Sequence, residues 1–289
     1  MKLSIIIVAY YSRKLIGDCL QSVFTYNDLP DGELEVMVVE NSPAGEAAAM
    51  QAFLEEHFGS KVRFIRNSFN RGYGSGNNEG IRQATGRVVA VMNPDIRLHE
   101  PLFGRAIARF EANPDVAMLG FRQLGNQNIS FYLNPELYFP VLRSLAEQLT
   151  NRMKRFFPRY FFLSGAFLFF DRQKFWAAGG FDEHIFLYME ESDISRRIQH
   201  QGYSIQFLPE CSYLHLIDDR IGFSADAYRY LLTSLSYYCR KYNFNERKVR
   251  KRMLMEVRLK KWVASLLHRA ELAAVMERTA EVLLESPDL

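Results

Sequence analysis

The chain has 289 residues, 24% of them charged and 48% hydrophobic, with a formal net charge of +3. That composition excludes a disordered chain, and the length permits one large domain or two small ones. The longest greasy run, YFFLSGAFLFF at 160–170, falls well short of the roughly 20 residues that span a bilayer. The opening MKLSIIIVAYYSRK is too briefly apolar and wrongly flanked for a secretion signal.

Cys19, Cys211 and Cys239 are far apart without metal-type spacing, which predicts free thiols in a reducing cytoplasm. Charge is unevenly spread: residues 246–261 hold eight Lys or Arg against two Glu, and residues 271–289 hold five acids against one Arg.

In chain order, LSIIIVA at 3–9, LEVMVVE at 34–40, VRFI at 62–65 and RVVAVM at 87–92 are β-branched runs suited to strands covered on both faces. Between the first two, Leu15, Ile16, Cys19, Leu20, Val23 and Phe24 form one helical stripe, and AAAMQAFLEEHF before the third has helical pattern too. A βαβαβ order predicts a parallel sheet, with ligands beyond the carboxyl ends of its strands.

Further on, a helix is expected near 101–112 and a strand near 116–120, followed by a poorly patterned stretch at 122–160 that reads as a lid or substrate-facing insertion. LSGAFLFF, a helix over RQKFWAA, the turn GGF, an acidic segment and a strand region ending in SYLHL complete this half. Residues 224 to about 285 read as helical throughout.

Polar and glycine residues gather where the strands end. VMNPDI at 91–96 puts Asp95 at a strand end, where a carboxylate either holds a hard divalent cation or merely sits in a turn. NRGYGSGNNEG at 70–80 lacks the spacing of a dinucleotide fingerprint, so a Rossmann oxidoreductase is not expected. It is either a glycine-rich approach whose amides receive a phosphate or an ordinary loop and helix start. His215 closes the last strand region as a metal donor or a satisfied imidazole.

FLYMEESDISRR at 186–197 crowds Glu190, Glu191 and Asp193 behind an apolar flank. On a helix, Asp193 meets Arg197 at i,i+4, whereas Glu191 faces Ile194 and Ser195 and gains no countercharge. An unpaired carboxylate beside Phe186, Leu187 and Tyr188 suits proton abstraction.

The ordered set resembles glycosyltransferase family 2, enzymes of the GT-A fold that pass a sugar from a nucleotide diphosphate to an acceptor hydroxyl. SIIIVAYYS, VMVVENS, NRGYGSGNNEGI, VMNPD and GGFDEHIFLYMEESDISRRIQHQGYSIQFLPECSYLHL stand in that family's order, from residue 3 to about 241, and the glycine stretch is similar to its rhamnosyltransferase-like branch.

The resemblance implies an α/β fold of GT-A type, with a Rossmann-like, mostly parallel sheet flanked by helices and a helical C-terminal extension. Residues 1–100 would bind the nucleotide sugar, 101–223 would bind acceptor and carry catalysis, and 224–289 would form the extension. Ala9, Tyr10, Glu40, Asn41, Asn70, Gly72, Tyr73, Asn77 and Asn93 are the implied nucleotide-sugar contacts, with Arg71 as a further donor. Asp95 and His215 are the implied ligands of Mg²⁺ or Mn²⁺. Glu191 is the implied base of an inverting reaction, with Glu190 and Asp193 as alternates.

Three departures stand out: Glu40 replaces the usual Asp, Asn93 replaces the first carboxylate of the metal motif, and Glu191 replaces the commoner Asp. Two of these motivate an alternative, a catalytically inactive sugar-nucleotide or glycan binding subunit beside a partner enzyme. The expected partners are a nucleotide-diphosphate sugar, with dTDP-L-rhamnose the donor that the resemblance to the rhamnosyltransferase-like branch favours, and a glycan or lipid-linked acceptor. The basic segment RKVRKRMLMEVRLKKWVASLLHR reads as a peripheral contact with an anionic membrane on its cytoplasmic side or as a homodimer helix. No nucleic-acid module accompanies it.

Overall fold

The computed structural model describes residues 2–125, 129–137, 142–216 and 224–285. The four predicted strands form as β1 (Leu3–Ala9), β2 (Leu34–Glu40), β3 (Val62–Arg66) and β4 (Val88–Met92). They run parallel in the order β3-β2-β1-β4. Their Val and Ile runs are buried on both faces of the sheet because α1 (Arg13–Thr25) and α2 (Ala44–Phe58) lie in one layer and α3 (Tyr73–Gln83) in the other. Ile16, Cys19, Leu20 and Val23 are the buried stripe of α1.

Beyond β4 the sheet becomes mixed. Its full order is β3-β2-β1-β4-β9-β6-β10-β5, with β5 (Ile96–Arg97), β6 (Val116–Leu124), β9 (Phe167–Asp171) and β10 (Ser204–His215). β9 lies antiparallel between β4 and β6, while β10 is parallel to β6. A run such as FLFF is apolar on both faces whichever way it points, so sequence pattern does not reveal the reversal. α4 (Phe103–Ala112) fits the expected helix, and α6 (Arg172–Ala177) is capped by Asp171, which accepts from the Lys174 amide.

The unpatterned stretch holds two strands of three residues each, β7 (Phe131–Leu133) and β8 (Phe161–Leu163), paired antiparallel, and α5 (Leu142–Arg152). Residues 126–128 and 138–141 of it lie outside the described residues. The C-terminal region is helical but broken twice, into α8 (Ala225–Lys241), α9 (Glu246–Leu266) and α10 (Ala270–Leu284), which share their own core around Leu235, Met253, Val257 and Leu283. The three cysteines are free and buried.

Candidate active site

The carboxyl ends of β1, β2 and β4 meet the amino end of α3, and side-chain amides tie them together. Asn41 donates to Asn70 and to the Gly72 carbonyl, each at 3.3 Å, and accepts from Asn67 at 2.7 Å. The turn after β1 is held by the Tyr11 amide on Ser42 Oγ at 2.7 Å, with Tyr10 exposed at its tip. Ala9 is buried and contributes its carbonyl to the Asn41 amide at 2.9 Å.

Gly72 has φ +93°, and a Cβ there would lie 2.1 Å from the Phe186 carbonyl oxygen. Only glycine lets the two segments approach so closely. Two amides of the glycine stretch are engaged within the fold: the Gly72 amide donates to Asn70 Oδ1 and the Tyr73 amide to the Phe186 carbonyl. Gly76 and Gly80 instead let α3 sit against Val8, Ile6 and Val39. Asn77 is buried and donates to the Tyr73 carbonyl at 3.1 Å. Arg71 turns to Glu183 at 3.3 Å.

Glu40 is not among the residues that line the cleft. Its carboxylate is buried and folds back to accept from the Ser42 amide at 2.7 Å, and burial raises its pKa against that bond.

A cavity of about 340 Å³ lies over this end of the sheet, lined by Tyr10, Asn41, Asn70, Gly72, Asp95 and Tyr230 among others. A second, of about 370 Å³, adjoins it and is lined by Tyr132, Phe162, Gly165, Tyr188, Glu190, Glu191, His215 and Leu231. Tyr73, Asn93 and Leu187 line both. The pairing of β10 with β5 brings His215 to Asp95, with Nε2 3.3 Å from Oδ2. That separation suits two ligands of one cation bonded at about 2.1 Å, as an imidazole and a hard oxygen donor. No cluster of three His, Cys, Asp or Glu forms among the described residues.

The expected acidic helix is α7 (Glu190–His200), entered through Tyr188 and Met189, both with positive φ. Glu190 is buried, and its Oε1 has no hydrogen-bond partner among the described residues. Burial, and then the charge of Glu191, pushes its pKa well above the ordinary carboxylate range. Glu191 is partly exposed on the cavity wall, and burial of its carboxyl raises its pKa against the pull of its own backbone amide. No side chain among the described residues bonds to it. A Cβ on Gly165 would stand 1.7 Å from its Oε1, so the carboxyl group occupies the space that a side chain at 165 would fill. Tyr73 supports that backbone by donating to the Gly165 carbonyl at 3.0 Å.

Asp193 does not share this setting. It is fully buried and accepts from Arg197 at 2.6 and 2.8 Å, Lys241 at 2.5 Å and Tyr242 at 2.7 Å, away from both cavities. Every lone pair is committed to a donor, so it is a structural anchor rather than an alternate base. Lys241 also reaches Asp182 at 2.6 Å, and Ser234 donates to the Leu187 carbonyl at 2.8 Å. Both contacts bind α8 to the catalytic segment.

Thus one cleft gathers Tyr10, Asn41, Asn70, Gly72, Tyr73, Asn93, Asp95, His215, Glu190 and Glu191. Ala9, Asn77, Glu40 and Asp193 stand behind it. Sequence reasoning missed Gly165, Tyr132, Phe162 and Leu231, and named Tyr188 only as an apolar flank of Glu191. Gly165, a small residue between a greasy strand and another in FLSGAFLFF, was the one readable signal.

Fold and cleft together define a glycosyltransferase of the GT-A type. A sequence model described as glycosyl transferase family 2 matches residues 4–179, more than half of the chain. The chain belongs to that family. No curated protein matches it closely enough in sequence to serve as a relative.

Among solved structures, a mannosyltransferase from Pyrobaculum calidifontis in complex with GDP-Man and Mn²⁺ superposes with a TM-score of 0.65 at 16% identity, covering 98% of this chain and 87% of that one. S. aureus TarS 1-349 in complex with UDP gives 0.54 at 15%, covering 97% and 90%. GalNAc-T7 with UDP, GalNAc and Mn²⁺ gives 0.59 at 12%, covering 82% of this chain and 48% of that one. At these identities the likeness is one of fold.

Proposed function

We propose that the protein is an inverting transferase that moves a sugar from a nucleotide-diphosphate donor to a hydroxyl of a glycan or lipid-linked acceptor, with Glu191 as general base. The observation that carries this reading is the shared wall of the two cavities: Asp95 lines one, Glu191 the other, and the paired His215 stands with Glu191. The donor's nucleotide lies over Tyr10, Asn41 and Asn70, its diphosphate is directed at Asp95, and the acceptor enters past Tyr132, Phe162 and Tyr188.

Glu191, unpaired and with a raised pKa, takes the acceptor proton as the hydroxyl attacks. Burial and the charge of Glu191 favour the protonated form of Glu190 beside it, which spares Glu191 a second buried negative charge. Asp95 and His215 would hold Mg²⁺ or Mn²⁺, which, when bound, neutralises charge on the departing diphosphate as a Lewis acid. Complexes of the fold neighbours with Mn²⁺ support that donor pair as a cation site. The NPD and glycine motifs favour dTDP-L-rhamnose as donor. Exposed Met255, Trp262 and Leu266 on the basic α9 support a peripheral place on the cytoplasmic face of a membrane.

Glu191→Gln tests the reading. Transfer should fall by about 10² to 10⁴-fold, with nucleotide affinity by thermal shift unchanged. Full turnover in this variant would remove Glu191 from the role, and unchanged wild-type turnover in chelator would remove the cation.

A further inference from the structure

The apolar stripe of α5 points outward. Leu142, Leu145 and Leu149, with Met153 just past the helix end, recur at spacings that share one helical face, and they are 61%, 60%, 53% and 51% exposed. The opposite face is the one that packs: Glu147 is buried there, accepting from the Leu133 amide at 2.9 Å and from Arg143 at 3.0 Å. A helix that turns its polar side inward and its leucines outward has a partner other than water.

The residues that follow identify that partner's charge. Arg152, Lys154, Arg155 and Arg159 lie within residues 152–160, Phe157 and Tyr160 among them are each 46% exposed, and no acid occurs from Gln148 to Phe170. Exposed apolar and aromatic side chains followed in sequence by cations without an acid match an anionic lipid interface, in which leucines enter the acyl boundary and guanidinium groups meet headgroup phosphates. Position gives the contact a use. Arg143 on α5 and Tyr132 and Phe162 on the adjoining strand pair line the cavity that contains Glu191. Ser144 reaches Glu256 of α9 at 3.4 Å, so α5 adjoins the C-terminal basic helix.

We propose that α5 and residues 152–160 dock on an anionic phospholipid bilayer and hold the Glu191 cavity at its surface, where a lipid-borne acceptor is presented. The docking itself does not depend on the identity of the nucleotide sugar; its use in acceptor delivery rests on the transferase reading.

The test is sedimentation of the full chain with vesicles of phosphatidylcholine alone or containing about 30% phosphatidylglycerol, at physiological ionic strength. Wild type should bind the anionic vesicles and not the neutral ones. The double variant Leu145→Glu, Leu149→Glu changes exposed side chains only and should lower the partition coefficient by about tenfold or more.

Thermal shift with UDP and dTDP in both proteins separates this outcome from failure of the transferase reading, because nucleotide binding should be equal in the two. Wild-type binding by the double variant, with loss in Trp262→Glu alone, would assign the membrane contact to α9 and overturn the proposal. Equal binding to neutral vesicles would overturn it as well. So would a dimer in wild type that the double variant abolishes without any lipid binding, which would identify the occupant as a second copy.

Discussion

Asp193 and Glu191 lie two residues apart on α7, yet one has four donors on its oxygens and the other has none among the described side chains. Around Asp193, Arg197, Lys241 and Tyr242 compensate a buried charge, and Asp182 extends the network through Lys241. Glu191 shares its cavity wall with a glycine backbone, aromatic rings, a second carboxyl group, Arg143 and His215, but no side chain among the described residues bonds to it. The first arrangement fixes α8 to α7. The second leaves a carboxylate poised to change its protonation state. On the proposed reading, the matched charge serves the fold and the carboxylate without a bonding side chain at the cavity wall serves the reaction.

The largest expected effect breaks the unmatched side. Gly165→Ala puts a methyl group in the volume held by Glu191 Oε1, which moves the carboxyl group by about an ångström; a displacement of that size costs about 10²-fold in turnover. Nucleotide affinity, measured by calorimetry, should hold. Activity equal to wild type would show that the position of Glu191 does not matter to the reaction.

The matched side should fail through stability instead. Asp193→Asn leaves Lys241 and Arg197 facing a neutral amide, and breaking a buried pair from one side typically costs about 3–5 kcal/mol. Thermal or urea unfolding measures the loss. A fall in turnover with no fall in stability would return Asp193 to the catalytic group.

The two regions should also answer pH with opposite sign. Although burial opposes it, the Lys241 ammonium, the His184 amide and ring and the Tyr237 hydroxyl hold Asp182 below its ordinary pKa. Its contribution is therefore present above the unfolded value of about 3.9 and lost as pH falls toward the folded one. Glu190 is raised, so its contribution is fullest below about 4.3 and lost as pH rises through the folded value. Glu190→Gln should accordingly raise Tm at about pH 8 and leave it little changed at about pH 4. The raised pKa of Glu191 places the acid limb of turnover above the usual carboxylate range.

How much of this was legible follows from range. β1 to β4 were readable because buried parallel strands are continuous Val and Ile runs, and the Asp193–Arg197 pair because it is one helical turn long. Lys241 lies 48 residues from Asp193 and no local pattern announces it. β7 and β8 are three residues each, too short for alternation to register. α5 carries a readable helical spacing at Leu142, Leu145 and Leu149, which the reading of 122–160 as unpatterned passed over. Glu191 was legible as unpaired, but the glycine beneath it belongs to a segment 26 residues earlier and is brought there only by the sheet.

The smallest effect sharpens the comparison from beneath. Tyr73 touches both cavities and donates its hydroxyl to the Gly165 carbonyl at 3.0 Å, so a single neutral hydrogen bond steadies the backbone under Glu191, where ionic groups do that work around Asp193. Tyr73→Phe keeps the ring and removes only that bond, a loss of about 0.5–1.5 kcal/mol. Turnover should drop a few-fold, with the acid limb of the pH profile shifted and nucleotide affinity unchanged. If stability falls while the pH profile stays fixed, Tyr73 supports the fold alone, and the placement of Gly165 rests on the β9 pairing instead.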